Sequence, residues 1–378
     1  MIARITQALL FLLACDGSWL IAQTTVEIDA GRGPVTMQIP SSYDPAQGTP
    51  LLLLLHGYTF DADLMDAYFD FSPLAEEHGF IYTYPDGTLD SLGQRYWNAT
   101  SACCDLEGSG IDDVGYLTGL LDLIASEYNV DPQRVHIVGH SNGGFMAYRL
   151  ACEEAERFAS IVSFAGAAQI DPTGCNPSTA LHTLQIHGTL DPIVNYFGGF
   201  INDFYPSAMG TVEQWAAHNG CPGPPVMDSN INLDGLIFGN ETSVLRWQDG
   251  CSPGGSTQLW SIFLGGHLPV PSFDMSPLIF QYLLDHPKPA MPIFVRGDIG
   301  GDLVHDLSDV VLLLQHLFTG ILVDCLAAAD SNGDASRDIS DPIFVLEYLF
   351  NGGLPPPPPF PTCGPDPLGA GCAVPPCP

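Results

Sequence analysis

The sequence predicts an α/β chain, with a mostly parallel sheet carrying helices on both faces, followed by a small all-α repeat module. Three observations carry this expectation. Strand-like and helix-like segments alternate from residue 24 to residue 286. Two apolar runs, 51–55 (LLLLL) and 80–84 (FIYTY), lack the polar alternation of a half-exposed strand, so they read as strands covered on both faces. Beyond a proline-rich stretch, Asp306-Leu-Ser-Asp309 recurs 32 residues later as Asp338-Ile-Ser-Asp341.

Each element has its own signal. Residues 26–29 and 35–39 alternate as the arms of a hairpin do. Residues 114–128 set Leu117, Leu120, Leu121 and Ile124 on one helical face. Residues 134–138 read as a short strand, 145–152 as a helix and 159–164 as another strand. Residues 184–187 and 258–264 are later strands. Such alternation requires crossover connections, and hence parallel pairing. A signal peptide is expected over residues 1–23 and a catalytic domain over 24–286. A Pro-rich linker spans 287–295, the repeat module 296–353 and a Pro/Gly/Cys-rich tail 354–378.

Composition limits the function. The chain has 378 residues, room for two or three domains, and 46% of them are apolar, enough for a large core. Against 43 Asp and Glu stand only 10 Lys and Arg, a net charge of −33. That charge repels phosphate backbones and anionic lipid, so nucleic acid is excluded as a partner. No apolar run reaches the 18 residues of a spanning helix. Arg4, the apolar stretch 8–14 and Leu20-Ile21-Ala22 together read as an export signal with its cleavage site. Leu12-Leu13-Ala14-Cys15 approaches a lipoprotein box, so a lipid anchor at Cys15 is the alternative to a free secreted form. Of eleven cysteines, ten remain without Cys15. They form no paired CxxC pattern, which fits disulfides outside the cytosol better than zinc.

The chemistry centres on Gly139-His-Ser141-Asn-Gly143, a G-x-S-x-G pattern. Alone the pattern is weak, but here a β-branched strand precedes it and a helix follows. Such a sharp turn lifts a serine hydroxyl above the sheet, with glycines relieving the crowding. Ser141 needs a histidine base, and the base needs an acid to set its tautomer. The chain order Ser, acid, His selects Asp191, on the loop after strand 184–187, and His267, on a glycine loop after strand 258–264. His140 points elsewhere and His187 packs beneath the acid loop. The oxyanion donors are the amides of Asn142 and of Tyr58, which follows strand 51–55 in His56-Gly57-Tyr58. No cofactor is needed for this chemistry.

These residues resemble the α/β-hydrolase fold, and within it the extracellular polyhydroxybutyrate depolymerase and feruloyl or acetyl-xylan esterase group. The resemblance runs from about residue 49 to residue 267. It includes Tyr84-Pro-Asp-Gly87, Trp97-Asn98, Cys103-Cys104, Asp112-Asp113-Val-Gly115 and His187-Gly-Thr-Leu-Asp191. It implies the triad Ser141, Asp191 and His267. It places Asp112 and Asp113 at a helix start, where a cap and a charge near the positive helix end account for them. Trp97 lines the substrate cleft or packs in the core, and His56 is set beside it in a supporting role. The resemblance also implies a Cys221–Cys251 disulfide, leaving Cys103, Cys104, Cys152 and Cys175 to pair among themselves.

The repeat has the spacing of calcium loops, with oxygen ligands at positions 1, 3, 5, 9 and 12. In the second loop these are Asp330, Asn332, Asp334, Asp338 and Asp341; in the first, Asp298, Asp302, Asp306 and Asp309, with Gly300 at position 3. Position 6, usually Gly, is Leu303 in one and Ala335 in the other. The pair resembles a type I dockerin, which implies bound calcium. It also implies a cohesin-like partner touching Leu307-Ser308 and Ile339-Ser340.

The expected function is a secreted serine esterase with a monomeric catalytic domain. Its substrate would be feruloyl or acetyl esters of xylan or a polyhydroxybutyrate-type polyester, cleaved through an acyl-enzyme. The alternatives are a non-catalytic binding protein on the same fold and a serine exopeptidase.

Overall fold

A computed structural model describes residues 23–289, 293–365, 372 and 377. Except for Gln23, the expected signal peptide lies outside the described residues, and so does Cys15. The chain divides into two compact units, one ending at Pro289 and the next beginning at Ala290.

The first unit is built on a ten-stranded sheet. Its strands are β1 (Thr24–Asp29), β2 (Pro34–Ile39), β3 (Thr49–Leu55), β4 (Ile81–Thr83), β5 (Val130–His140), β6 (Ser160–Phe164), β7 (His182–Gly188), β8 (Val226–Ile231), β9 (Thr242–Trp247) and β10 (Ser256–Ile262). The order across the sheet is β1-β2-β4-β3-β5-β6-β7-β10-β9-β8. From β4 to β10 the pairing is parallel; the hairpins at both edges are antiparallel. This mixed sheet with helices on both faces is an α/β-hydrolase architecture.

The apolar run at β3 explains why the sheet is covered twice. Leu51, Leu53 and Leu55 enter one core. It is roofed by α3 (Asp113–Glu127), α4 (Asn142–Glu153) and Trp215 of α5 (Ala208–His218). Leu52 and Leu54 enter the other, under α1 (Ala62–Phe69), α2 (Ser72–His78) and α6 (Met275–Asp285). Period-2 alternation sends successive leucines to opposite faces. Each fully buried leucine contributes about 2 kcal/mol relative to exposure.

Two strands have no counterpart in the sequence expectation. β8 and β9 extend the far edge as an antiparallel hairpin. β8 (VMDSNI) is nearly all exposed, so no hydrophobic pattern marks it. Disulfides join Cys103 to Cys104, Cys152 to Cys175 and Cys221 to Cys251.

In the second unit α7 (Leu307–Thr319) packs against α9 (Ser340–Asn351), with the short α8 (Leu326–Ala329) between them in sequence. Lys288 N donates to Gln133 O within the first unit, 2.8 Å, while Ile293 and Phe294 pair with Pro365 and Gly364 in the second. The linker is therefore shorter than 287–295. The described residues of the tail are tied to the rest of this unit. Pro359 O accepts from Arg296 N at 2.6 Å, Cys372 bonds to Cys325 and Cys377 to Cys363.

Candidate active site

The nucleophile turn follows from crowding where β5 meets α4. Ser141 has φ +53° and ψ −118°, a left-handed conformation that costs an ordinary side chain about 1–2 kcal/mol. A Cβ on Gly139 would lie 2.1 Å from Gly143 O, and one on Gly143 would lie 2.2 Å from Leu55 O. Only glycine fits either place. Ser141 N donates to Phe164 O, 2.7 Å, which pins the turn to β6.

Two loops bring the remaining groups. His267 Nε2 lies 2.9 Å from Ser141 Oγ, and His267 Nδ1 lies 2.7 Å from Asp191 Oδ2. A carboxylate only accepts, so Nδ1 carries the proton and Nε2 faces the hydroxyl as acceptor. The acid and base loops meet at Gly188, where a Cβ would lie 2.3 Å from Gly266 O. Asp191 Oδ1 accepts from the amides of Ile193 (2.8 Å) and Val194 (2.9 Å). Burial alone would raise the pKa of Asp191. Hydrogen bonds from His187 and His267 and the backbone outweigh it and hold the carboxyl well below its usual range. His187 Nε2 donates to Val194 O at 2.7 Å and lies 3.4 Å from Asp191 Oδ2, while its Nδ1 accepts from Gln185 Nε2 at 3.0 Å. The sequence placed His187 beneath the acid loop but missed Gln185, a buried polar residue in mid-strand that sets its tautomer.

The oxyanion amides lie beside the serine. Asn142 is the first residue of α4, so its amide has no intrahelical acceptor. A Cβ on Gly57 would lie 3.2 Å from Ser141 Cβ, which sets the His56-Gly57-Tyr58 loop directly against the nucleophile. The Asn142 side chain is committed elsewhere: Oδ1 accepts from Trp97 N (2.7 Å) and Nδ2 donates to Trp97 O (2.9 Å).

Of the two places open to Trp97, the cleft or the core, it takes the core, and His56 sits beside it in a supporting place. Both are fully buried. Trp97 Nε1 donates to His56 O at 3.1 Å, and His56 Nε2 accepts from Gly87 N at 2.8 Å. Their rings pack 5.0 Å apart behind the oxyanion loop, so they support it and do not face substrate. Asp112 caps α3 as expected, accepting from Gly115 N at 2.7 Å. Asp113 is the first residue of α3 and stands near its positive end. It is fully buried, ion-paired with Arg32, and accepts from Asn98 N at 2.6 Å.

The acidic loops of the second unit turn inward on their own backbones. Asp298 Oδ1 accepts from Gly301 and Asp302, and Asp330 Oδ1 accepts from Asp334. Asp309 and Asp341, at position 12, are fully buried, and burial raises the pKa of each. Among the described residues no three His, Cys, Asp or Glu side chains are gathered as a metal cage. The sixth residues, Leu303 (φ +62°) and Ala335 (φ +67°), nevertheless take the left-handed conformation of the glycine usual there. The second loop holds five oxygen-bearing side chains at ligand positions, and the first holds four. In donor type the second loop has an oxygen side chain at each of the five ligand positions, though Asp341 stands where a bidentate Glu is usual; the first loop lacks one at position 3.

A profile of the family described as Putative esterase matches residues 30–219, half of the chain. That stretch contains Ser141 and Asp191 and ends before His267. The chain is 28% identical over 242 residues to feruloyl esterase B of Piromyces equi, covering 62% of this chain and 42% of that one. It is 30% identical over 190 residues to poly(3-hydroxybutyrate) depolymerase of Ralstonia pickettii, covering 44% and 38%. The chain spans less than half the length of the curated relatives it matches. The solved structure of acetyl xylan esterase from Aspergillus awamori aligns with 69% of this chain and 99% of its own, at 17% identity and a TM-score of 0.49.

Proposed function

The chain belongs to the putative esterase family, and from that premise we propose that it is a serine carboxylic ester hydrolase working through an acyl-enzyme. The observation that carries this reading is the relay from Asp191 through His267 to Ser141 on a strained turn. Ser141 Oγ attacks the ester carbonyl carbon as His267 Nε2 takes its proton. Asp191 stays ionised and stabilises the imidazolium through Nδ1–H. The amides of Tyr58 and Asn142 donate to the developing oxyanion; removal of one such donor costs about 10²–10³ in rate. His267 then returns the proton to the leaving alcohol oxygen, and the acyl group remains on Ser141. Water attacks the acyl carbon as His267 accepts its proton, and His267 then returns that proton to Ser141 Oγ as the acyl–oxygen bond breaks and the acid is released.

The substrate class is an ester-bearing polymer or its oligomers: feruloyl or acetyl esters of xylan, or a polyhydroxybutyrate-type polyester. Supporting this, the relatives carry the names feruloyl esterase, acetylxylan esterase and poly(3-hydroxybutyrate) depolymerase. Secretion is part of the reading. Every cysteine from Cys103 onward is in a disulfide, and structural disulfides belong to oxidising compartments. The second unit is assigned a calcium-dependent attachment role. Asp330, Asn332, Asp334, Asp338 and Asp341 would hold one ion and Asp298, Asp302, Asp306 and Asp309 a weaker one, with a cohesin-like domain as partner.

The test is initial rates of the full chain and of Ser141→Ala on methyl ferulate, acetylated xylan, a 3-hydroxybutyrate oligomer and a p-nitrophenyl ester. Turnover of one natural ester that disappears in Ser141→Ala is expected. Equal background rates for both proteins on all four would leave a binding protein on a hydrolase fold.

A further inference from the structure

His140 precedes the nucleophile and has no part in the mechanism above, yet it also contacts the base, His267. It is fully buried. Its Nε2 lies 3.0 Å from the carbonyl oxygen of His267, and the two imidazoles are 5.0 Å apart. A carbonyl only accepts, so Nε2 carries the proton. Nδ1 therefore presents a bare lone pair, and it has no partner among the described residues. It faces Gly57, where a Cβ would lie 3.0 Å away. The rings of Phe60, Tyr68 and Phe164 surround the imidazole at 6.2, 6.2 and 5.8 Å. Burial pushes the pKa of His140 down to about 3, so the ring is neutral with one donor over the whole working range.

We infer that His140 is a positioning residue whose single N–H holds the backbone of His267, so that the residue beside the nucleophile also sets the place of the base. This rests on the esterase reading of the triad. The physical case is that the base loop, Gly265-Gly266-His267, contains two glycines and is weakly ordered by its own sequence. Elsewhere the loop is fixed at a distance from the imidazole. Leu264 N donates to Thr189 Oγ1 and Leu190 N to Gly265 O upstream, both 2.9 Å. Tyr68 OH donates to Pro269 O downstream, 2.7 Å. His140 supplies the tie at His267 itself. Because His140 is bonded covalently to Ser141, any movement of the elbow is passed to the base, and their 2.9 Å contact is kept. A misplacement of about 1 Å in such a pair costs on the order of 10²-fold in rate. The unpartnered Nδ1 is a standing cost of using histidine here, one that a packing residue would not incur.

The experiment uses the full chain with His140→Phe, which keeps the ring volume without a donor, and His140→Gln, whose amide nitrogen reaches the Nε2 position. Active sites are titrated with a fluorophosphonate, and kcat per titrated site is measured with p-nitrophenyl acetate. The His267 Nδ1 proton is followed as a far-downfield resonance in proton NMR. In His140→Phe we expect kcat per site to fall by about 10–100-fold with KM little changed, phosphonylation to slow in step, and the downfield proton to shift or vanish. His140→Gln should recover most of both the rate and the resonance. If His140→Phe keeps the wild-type kcat per site, or if His140→Gln falls as far as His140→Phe, the inference is overturned and His140 is only packing. If wild type itself neither turns over ester nor reacts with the phosphonate, the esterase reading fails, and the resonance alone decides: an unchanged signal in His140→Phe refutes the positioning role.

Discussion

Gly139 and Gly143 approach so closely that a Cβ on the first would lie 2.1 Å from the carbonyl oxygen of the second. The contact is backbone against backbone, with no flexible side chain to give way. It explains why the serine turn is written between two glycines: the strand end and the helix start occupy the same space that side chains would need.

Gly143→Ala should therefore cost more than an ordinary overpacked core substitution, above about 3 kcal/mol, because its Cβ would lie 2.2 Å from Leu55 O in the central strand β3. Ser141→Ala, which only removes a hydroxyl, should leave the midpoint nearly unchanged. Denaturant unfolding of both variants separates the two effects. Comparable midpoints would mean that the turn relaxes freely.

Asp191→Asn should keep the fold and lose the rate. The amide can donate to His267, which favours the wrong tautomer, with Nδ1 as acceptor and Nε2 no longer available to Ser141. A fall in kcat of about 10³–10⁴-fold is expected with little change in KM. Asp191 also carries a pH signature. Its folded pKa lies below its unfolded value, so its contribution to stability is complete above about pH 4 and is lost as pH falls further. In Asp191→Asn the loss of stability below pH 4 should be shallower by one proton.

Much of this site was legible because its signals are local. Strand, glycine, serine, glycine and helix lie within one short stretch, and the order of acid and base follows along the chain. The leucine run of β3 announced a doubly covered strand for the same reason. What was hidden depends on contacts between distant segments. Trp97 reads equally as a cleft or a core residue until Asn142, 45 positions away, clamps its backbone. His140 has no pattern that reveals a bond to His267, 127 positions on. β8 is polar and exposed, so only its pairing with β9 defines it. The tail reads as irregular because its order comes from Arg296, Cys325 and the Ile293–Phe294 strand rather than from its own prolines.

Stability should fall as pH drops from about 6.5 towards 5. His136 and His140 are fully buried and their pKa values are pushed down to about 3; burial, with the neighbouring His286, holds His182 at about 4. All three stay neutral in the folded chain, while in the unfolded chain they take up protons below about pH 6.5. The unfolded state then binds more protons, so acid favours unfolding. Each histidine contributes about 2 kcal/mol of destabilisation at pH 5. These three account for roughly three protons in the slope of unfolding free energy between pH 6 and pH 5, and His56, His218, His286 and His305, also lowered, steepen it further. A flat profile over that interval would mean that these rings are protonated in place.

Ala335 sits at the sixth position of the second acidic loop with φ +67°, a conformation glycine adopts freely and alanine does not. The strain is about 1 kcal/mol, and it is borne by the loop whether or not an ion is present. Ala335→Gly should therefore lower that cost and favour the loop geometry on which the proposed calcium ligands depend. Calcium that binds only the folded chain adds stability as its concentration exceeds Kd, about 2.7 kcal/mol at a hundredfold excess. In scanning calorimetry of the full chain, calcium should raise the transition of the second unit relative to chelator, and Ala335→Gly should move it higher in both conditions. Asp341→Asn, which weakens the buried position-12 ligand, should reduce the calcium-dependent part alone. A transition indifferent to calcium in all three proteins would make the loops acidic turns held by their own amide bonds.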